Sequence, residues 1–172
     1  MSTSLCSRVP TFALVVALTA ACTFAGPAAS SDGRGATPVL SSERTPDVPP
    51  PTKAERAVRY ALDVVGVPYR WGGESPATGF DCSGLVRWAY GHVGIDLPHS
   101  SYALYDVGRR ASTSRLQPGD VLFFEGLGHV GLYVGNGRMV HAPQTGRDVE
   151  IVDLAGTGYG SRLVGVRRVI AS

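Results

Sequence analysis

The chain has 172 residues, 44% hydrophobic and 17% charged, a length that holds one domain of ordinary size and not two. Sixteen basic against fourteen acidic side chains leave a formal charge of +2, too weak a field to mark a nucleic-acid-binding surface or to hold the chain on an anionic membrane by charge alone. Three cysteines, Cys6, Cys22 and Cys82, cannot build a disulfide framework, so at least one thiol is left over.

Residues 1–25 read as an export signal. Arg8 supplies a short cationic start, and residues 11–21 form an uncharged apolar run, shorter than the roughly 20 residues a spanning helix needs. Leu18-Thr19-Ala20-Ala21-Cys22 is similar to a bacterial lipobox, in which the signal is cut before the cysteine and its thiol is lipidated; ordinary cleavage after Ala21 or Ala25 is the alternative. Residues 26–51 hold six of the twelve prolines and no aromatic residue, a composition that cannot bury enough apolar surface to offset chain entropy. This stretch is expected to be a disordered, proline-stiffened linker, a tether if Cys22 carries lipid.

Residues 52–172 remain for a single folded domain. Thr52-Lys53-Ala54-Glu55 is a capping box, and Ala54, Val58, Ala61, Leu62 and Val65 recur at helical spacing until Gly66 and Pro68. A second helix is expected from Cys82, with Leu85, Val86, Trp88 and Ala89 as its apolar face, and a short third one between Ser100 and Val107. Beyond Pro118 the period becomes strand-like over 120–125, 129–135, 138–142, 148–153 and 163–169. Helices first and an antiparallel sheet afterwards is an α+β order.

Cys82 follows a glycine-rich loop (71–81) and opens an apolar helix, so its sulfur lies on the first turn, where the helix dipole and free N–H groups favour the nucleophilic thiolate. A small buried hydrophobe is the plain alternative. A nucleophile needs a base, and the base needs an orienting partner. His92 and His99 are expected to be structural or surface residues. His129 and His141 fall on consecutive strands joined at Gly135-Asn136-Gly137. A two-residue Asn136-Gly137 turn places Leu132 opposite His141 and puts the histidines on opposite faces. A three-residue turn with Gly137 left-handed pairs Leu132 with Val140, gathers Val130, Leu132, Val134, Val140 and Ala142 on one face, and brings His129 and His141 together on the other. Because a one-residue slip exchanges the faces, apolar matching favours the second register. Zinc held by Cys82, His129 and His141 is disfavoured by the wide spacing and the absence of paired cysteines or an H-E-x-x-H motif.

Pro68-Tyr69-Arg70-Trp71-Gly72-Gly73, Asp81-Cys82-Ser83-Gly84, Leu116-Gln117-Pro118-Gly119-Asp120, His129-Val130-Gly131-Leu132-Tyr133 and His141-Ala142-Pro143 occur in this order. Together they resemble the NlpC/P60 family of bacterial cell-wall peptidases over nearly all of residues 54–170. The resemblance implies a papain-like α+β fold with N-terminal helices packed on an antiparallel sheet. It implies a monomeric, cofactor-free thiol endopeptidase that cleaves the D-isoglutamyl–diamino acid bond of peptidoglycan stem peptides. By position, Cys82 matches the nucleophile, His129 the general base and His141 the polar third member. Asp81, Ser83 and Ser101 match positions that help hold the stem peptide, and Tyr69 matches the aromatic hydroxyl beside the nucleophile. The family often has Arg-Thr-Ser after Leu-Pro and a glutamine soon after; here they read His99-Ser100-Ser101 and Leu104, which bears on fine substrate preference. An amidase or acyltransferase of the same fold is the competing enzyme. A non-catalytic wall-binding module is the competing non-enzyme, although the loss of the cysteine or of His129 expected for it is not found.

Overall fold

A computed structural model describes residues 49–169. The export signal, Cys22 and most of the linker lie outside the described residues.

Thr52 caps α1 (Lys53–Asp63) with the reciprocal bonds its sequence calls for: the Glu55 N–H donates to the Thr52 hydroxyl at 3.2 Å, and the Thr52 N–H donates to the Glu55 carboxylate at 2.7 Å. The helix ends two residues before the periodic pattern does. Val64 leaves helical geometry and turns inward, while Val65, counted on the apolar face, is 45% exposed in the turn leading to Gly66. A small hairpin of β1 (Glu74–Ser75) and β2 (Gly79–Phe80) follows, then α2 (Cys82–Gly91) and α3 (Ser101–Leu104).

The remaining strands are β3 (Arg109–Arg110), β4 (Val121–Phe124), β5 (Val130–Gly135), β6 (Arg138–His141), β7 (Glu150–Asp153) and β8 (Leu163–Arg168). They form one sheet in the order β3-β8-β4-β5-β6-β7, with every neighbouring pair antiparallel. The α+β order is as expected from the sequence. Side chains alternate across the sheet. Val121, Phe123, Val130, Leu132 and Val140 pack under the helices against Ala57, Leu85, Val86 and Ala89. Leu122, Phe124, Tyr133, Met139 and Val166 face the other way, under Leu154 and Tyr159.

The Leu116–Asp120 motif turns out to be a clamp. Asp120, 1% exposed, accepts from Arg168 Nε and Nη2 at 2.6 Å each and from the Gln117 N–H at 2.8 Å, tying the start of β4 to the end of β8. Gly119 has φ +93°, and a Cβ there would stand 2.6 Å from Ala54 Cβ, so glycine is what lets α1 approach.

The β5–β6 hairpin reaches the expected register by a different turn. Leu132 pairs with Val140 and Tyr133 with Met139, as apolar matching requires. Yet Gly135 pairs with Arg138 across a two-residue Asn136-Gly137 turn, both residues having positive φ (52° and 71°). A register shift between Tyr133 and Gly135, with Val134 as the extra residue, cancels the slip that such a turn would otherwise impose. The bulge therefore sits on β5 rather than at Gly137.

Residues 66–69 run as a strap beside the segment preceding β7. The Gly66 N–H donates to Val149 O, the Val149 N–H to Val67 O and the Tyr69 N–H to Arg147 O, each at 2.8 Å, while the Phe80 N–H donates to Pro68 O at 3.1 Å. The strap carries Tyr69 between β2 and the approach to β7.

Candidate active site

Cys82 is the first residue of α2, and Asp81 is its N-cap. The Asp81 carboxylate holds the surrounding loop in place. Oδ1 accepts from the Gly84 N–H (2.7 Å), the Ser83 hydroxyl (3.1 Å) and His99 Nε2 (2.9 Å), and Oδ2 accepts from the Gly72 N–H (2.9 Å). A Cβ on Gly84 would lie 2.1 Å from Gly73 O, so the glycine after Ser83 is needed for the loop to lie against the helix. His99, expected as a structural or surface residue, is thus built into the site loop. His92 is structural as expected, with Nδ1 at 2.8 Å from Trp88 O and its ring against Tyr60 and Trp88. Ser101 opens α3 and is buried, and among the described residues its hydroxyl makes no side-chain hydrogen bond.

The histidines meet. His129, just ahead of β5, places Nε2 2.8 Å from Nδ1 of His141, which is the last residue of β6 and fully buried. Tyr159 covers both rings, with centroids 5.0 Å from His141 and 6.0 Å from His129, and Phe124, 5.1 Å from Tyr159, lies 5.7 Å from His129. Gly131 leaves room beneath them: a Cβ there would be 2.6 Å from Met139 Sδ, which would have to shift, and 3.4 Å from His141 Cβ. The Val130 N–H, one residue beyond His129, is directed at the Cys82 sulfur, so the helix and the hairpin converge at the start of β5.

Burial among these aromatic rings lowers both imidazoles to about 4, with His141 and then Arg162 adding to the effect on His129 and Arg147 adding to that on His141. Both are neutral at pH 7. Burial also pushes the Cys82 thiol up, and the Asp81 charge adds to this, against the hydrogen bonds from the Val130, Ser83 and Cys82 backbone. Burial thus works against the thiolate that the first turn of α2 favours. Tyr69 is raised first by burial, with Cys82 and Asp81 nearby adding to the effect, so its phenol stays protonated within electrostatic reach of the sulfur.

A groove of about 530 Å³ opens beside His129, lined by Phe124, Gln144, Tyr159, Glu125 and Arg162 among others. The Arg162 guanidinium stands over the Tyr159 ring, 4.9 Å from its centroid.

A cysteine opening a helix, packed on an antiparallel sheet whose hairpin pairs two histidines, defines an α+β domain of the papain-like class. The NlpC/P60 family model matches residues 66–168, and the chain belongs to that family. A probable endopeptidase of Mycobacterium tuberculosis is 51% identical over 102 residues, covering 59% of this chain and 26% of that protein. Murein DD-endopeptidase MepH of Escherichia coli is 41% identical over 130 residues, covering 69% of this chain and 48% of that protein. The crystal structure of an NlpC/P60 family protein from Bacillus cereus superposes with a TM-score of 0.65 at 37% identity, covering 70% of this chain and 42% of that one. The chain thus spans between a quarter and a half of the length of these curated relatives.

Proposed function

We propose that the protein is a peptidoglycan endopeptidase that cleaves stem peptides through Cys82, His129 and His141. The observation that carries this reading is the 2.8 Å contact between His129 Nε2 and His141 Nδ1, made beside a cysteine at a helix N-terminus. With Nε2 engaged, Nδ1 of His129 is the nitrogen left to take the Cys82 proton. The resulting thiolate attacks the scissile carbonyl. Backbone N–H groups at the start of α2 and the Tyr69 hydroxyl stabilise the oxyanion, and His129 protonates the leaving amine before activating the water that releases the thioester. Asp81 holds the loop and Ser83 in place, and Ser101 offers the stem peptide a hydroxyl with no side-chain hydrogen bond among the described residues.

The favoured bond joins D-isoglutamate to meso-diaminopimelate. The groove beside His129, the base that serves the leaving amine, bears both a carboxylate (Glu125) and a guanidinium (Arg162), a pair suited to the amino-acid head of a diamino acid. The name of the MepH relative, a DD-endopeptidase, favours a second reading in which peptide cross-links are cut. Digestion of purified muropeptides followed by mass spectrometry separates the two. New D-isoglutamate C-termini support the first, while loss of cross-linked dimers with intact tripeptides supports the second. Cys82→Ala should abolish either activity, a loss of about 10⁶-fold where one member of a nucleophile–base unit is removed; full activity in that variant overturns the thiol mechanism. The reading includes export to the envelope, an acyl anchor on Cys22 and a monomeric domain, and palmitate labelling lost in Cys22→Ala checks the anchor.

A further inference from the structure

Glu150, at the start of β7, sits directly across from His141 on β6. One carboxylate oxygen, Oε2, is held by Arg147 Nη2 at 2.6 Å. The other, Oε1, is buried 3.4 Å from His141 Nε2, and neither of these two atoms has another hydrogen-bond partner among the described residues. A buried acceptor and a ring nitrogen that face each other, both closed to solvent, are tolerable only if the nitrogen carries the hydrogen, because two lone pairs at that distance repel.

We propose that Glu150 is a positioning residue that selects the tautomer of His141 and, through it, the reactive tautomer of His129. With a hydrogen on Nε2 directed at Glu150, His141 presents the Nδ1 lone pair to His129. His129 must then donate from Nε2, and its Nδ1 is left bare to receive the Cys82 proton. In the opposite tautomer His141 donates from Nδ1 to His129 Nε2. Neutral His129 then holds its hydrogen on Nδ1, where no lone pair remains for the thiol proton. The wrong tautomer disarms a catalytic histidine without moving an atom of its ring. Arg147 aids the selection by occupying Oε2 and leaving Oε1 turned toward His141. The 3.4 Å separation is long for a hydrogen bond at rest, and such contacts tighten when the histidine becomes charged during turnover.

The inference rests on the Cys82–His129–His141 reading, and its test separates the two. Imidazole ¹⁵N spectra of the unliganded wild-type protein at pH 7 should show His141 protonated on Nε2 and His129 protonated on Nε2. In Glu150→Ala the His141 signal should shift toward the Nδ1-protonated form, with kcat on a muropeptide falling about 100-fold and KM unchanged within twofold. Glu150→Gln, nearly isosteric and still offering a carbonyl acceptor, should lose about tenfold, in keeping with outer-shell partners of functional histidines. It also supplies the measurement if the alanine variant folds poorly. A His141 protonated on Nδ1 in the wild type, or kcat within twofold of wild type in both variants, overturns the inference. If Cys82→Ala is inactive while both Glu150 variants work at full rate, only the tautomer selection fails. If Cys82→Ala is active, the thiol mechanism itself fails.

Discussion

Asp81 and Glu150 are both carboxylates beside a histidine, and the fold holds them in opposite ways. Asp81 accepts from two backbone N–H groups, a hydroxyl and an imidazole, so its position is over-determined and it fixes the loop that carries Cys82. Glu150 is anchored through one oxygen only, and the other faces a buried nitrogen with no further partner. A saturated carboxylate sets where atoms are. A half-satisfied one, in a dry site, sets where a proton is.

Three measurements put this contrast to the test. Asp120 is the extreme of the saturated kind, and Arg168→Met leaves its buried charge without a cation and with only the Gln117 N–H as donor; unfolding in denaturant should show a loss of about 3–5 kcal/mol, whereas Glu150→Gln should lie much closer to the wild type. Comparable losses in the two variants would erase the distinction.

The next effect comes from pH. His129 and His141, both lowered to about 4 in the folded protein, return to about 6.5 when it unfolds. Between those values the unfolded chain binds protons that the native state refuses, so stability is full above about pH 6.5 and falls as the pH drops toward 4, by about 3 kcal/mol for one imidazole taken alone and by less than twice that for the coupled pair. Stability that stays flat from pH 7 to 4.5 would mean that folding does not keep the relay neutral.

The smallest effect is Asp81→Ala, which removes a helix cap and leaves its donors unpaired, at about 2 kcal/mol. Because the Asp81 charge helps to raise the Cys82 thiol, the same variant should titrate its thiol at lower pH, as read from the pH dependence of alkylation. An unchanged thiol titration would show that Asp81 acts on the loop alone.

Much of this arrangement was legible in the sequence because apolar matching constrains register more strongly than turn chemistry does. Pairing Leu132 with Val140 followed from burial alone and placed both histidines on one face, even though the turn that achieves it was read differently. A bulge at Val134 leaves no mark in the residue pattern, since valine suits a regular strand equally well. The hairpin β1–β2 and strand β3 were missed because two residues cannot display a period. His99 and Glu150 escaped for another reason: their roles arise from partners 18 and 9 residues away, across a loop and a strand pair, and a polar residue on a short strand ordinarily reads as solvated surface. The desolvation of Cys82, which opposes the effect of the helix terminus, leaves no mark in the sequence, whereas helix position does.

The protonated resting state of Cys82 has a consequence for the protein's chemical durability. Peroxide and other oxidants attack the thiolate, and the products run from sulfenic acid to forms that cannot be reversed. A sulfur kept as a thiol, beside an imidazole that is neutral until a carbonyl arrives, spends its idle time off that ladder. The same burial that raises the thiol slows its reaction with small oxidants by lowering the thiolate fraction while the site is empty.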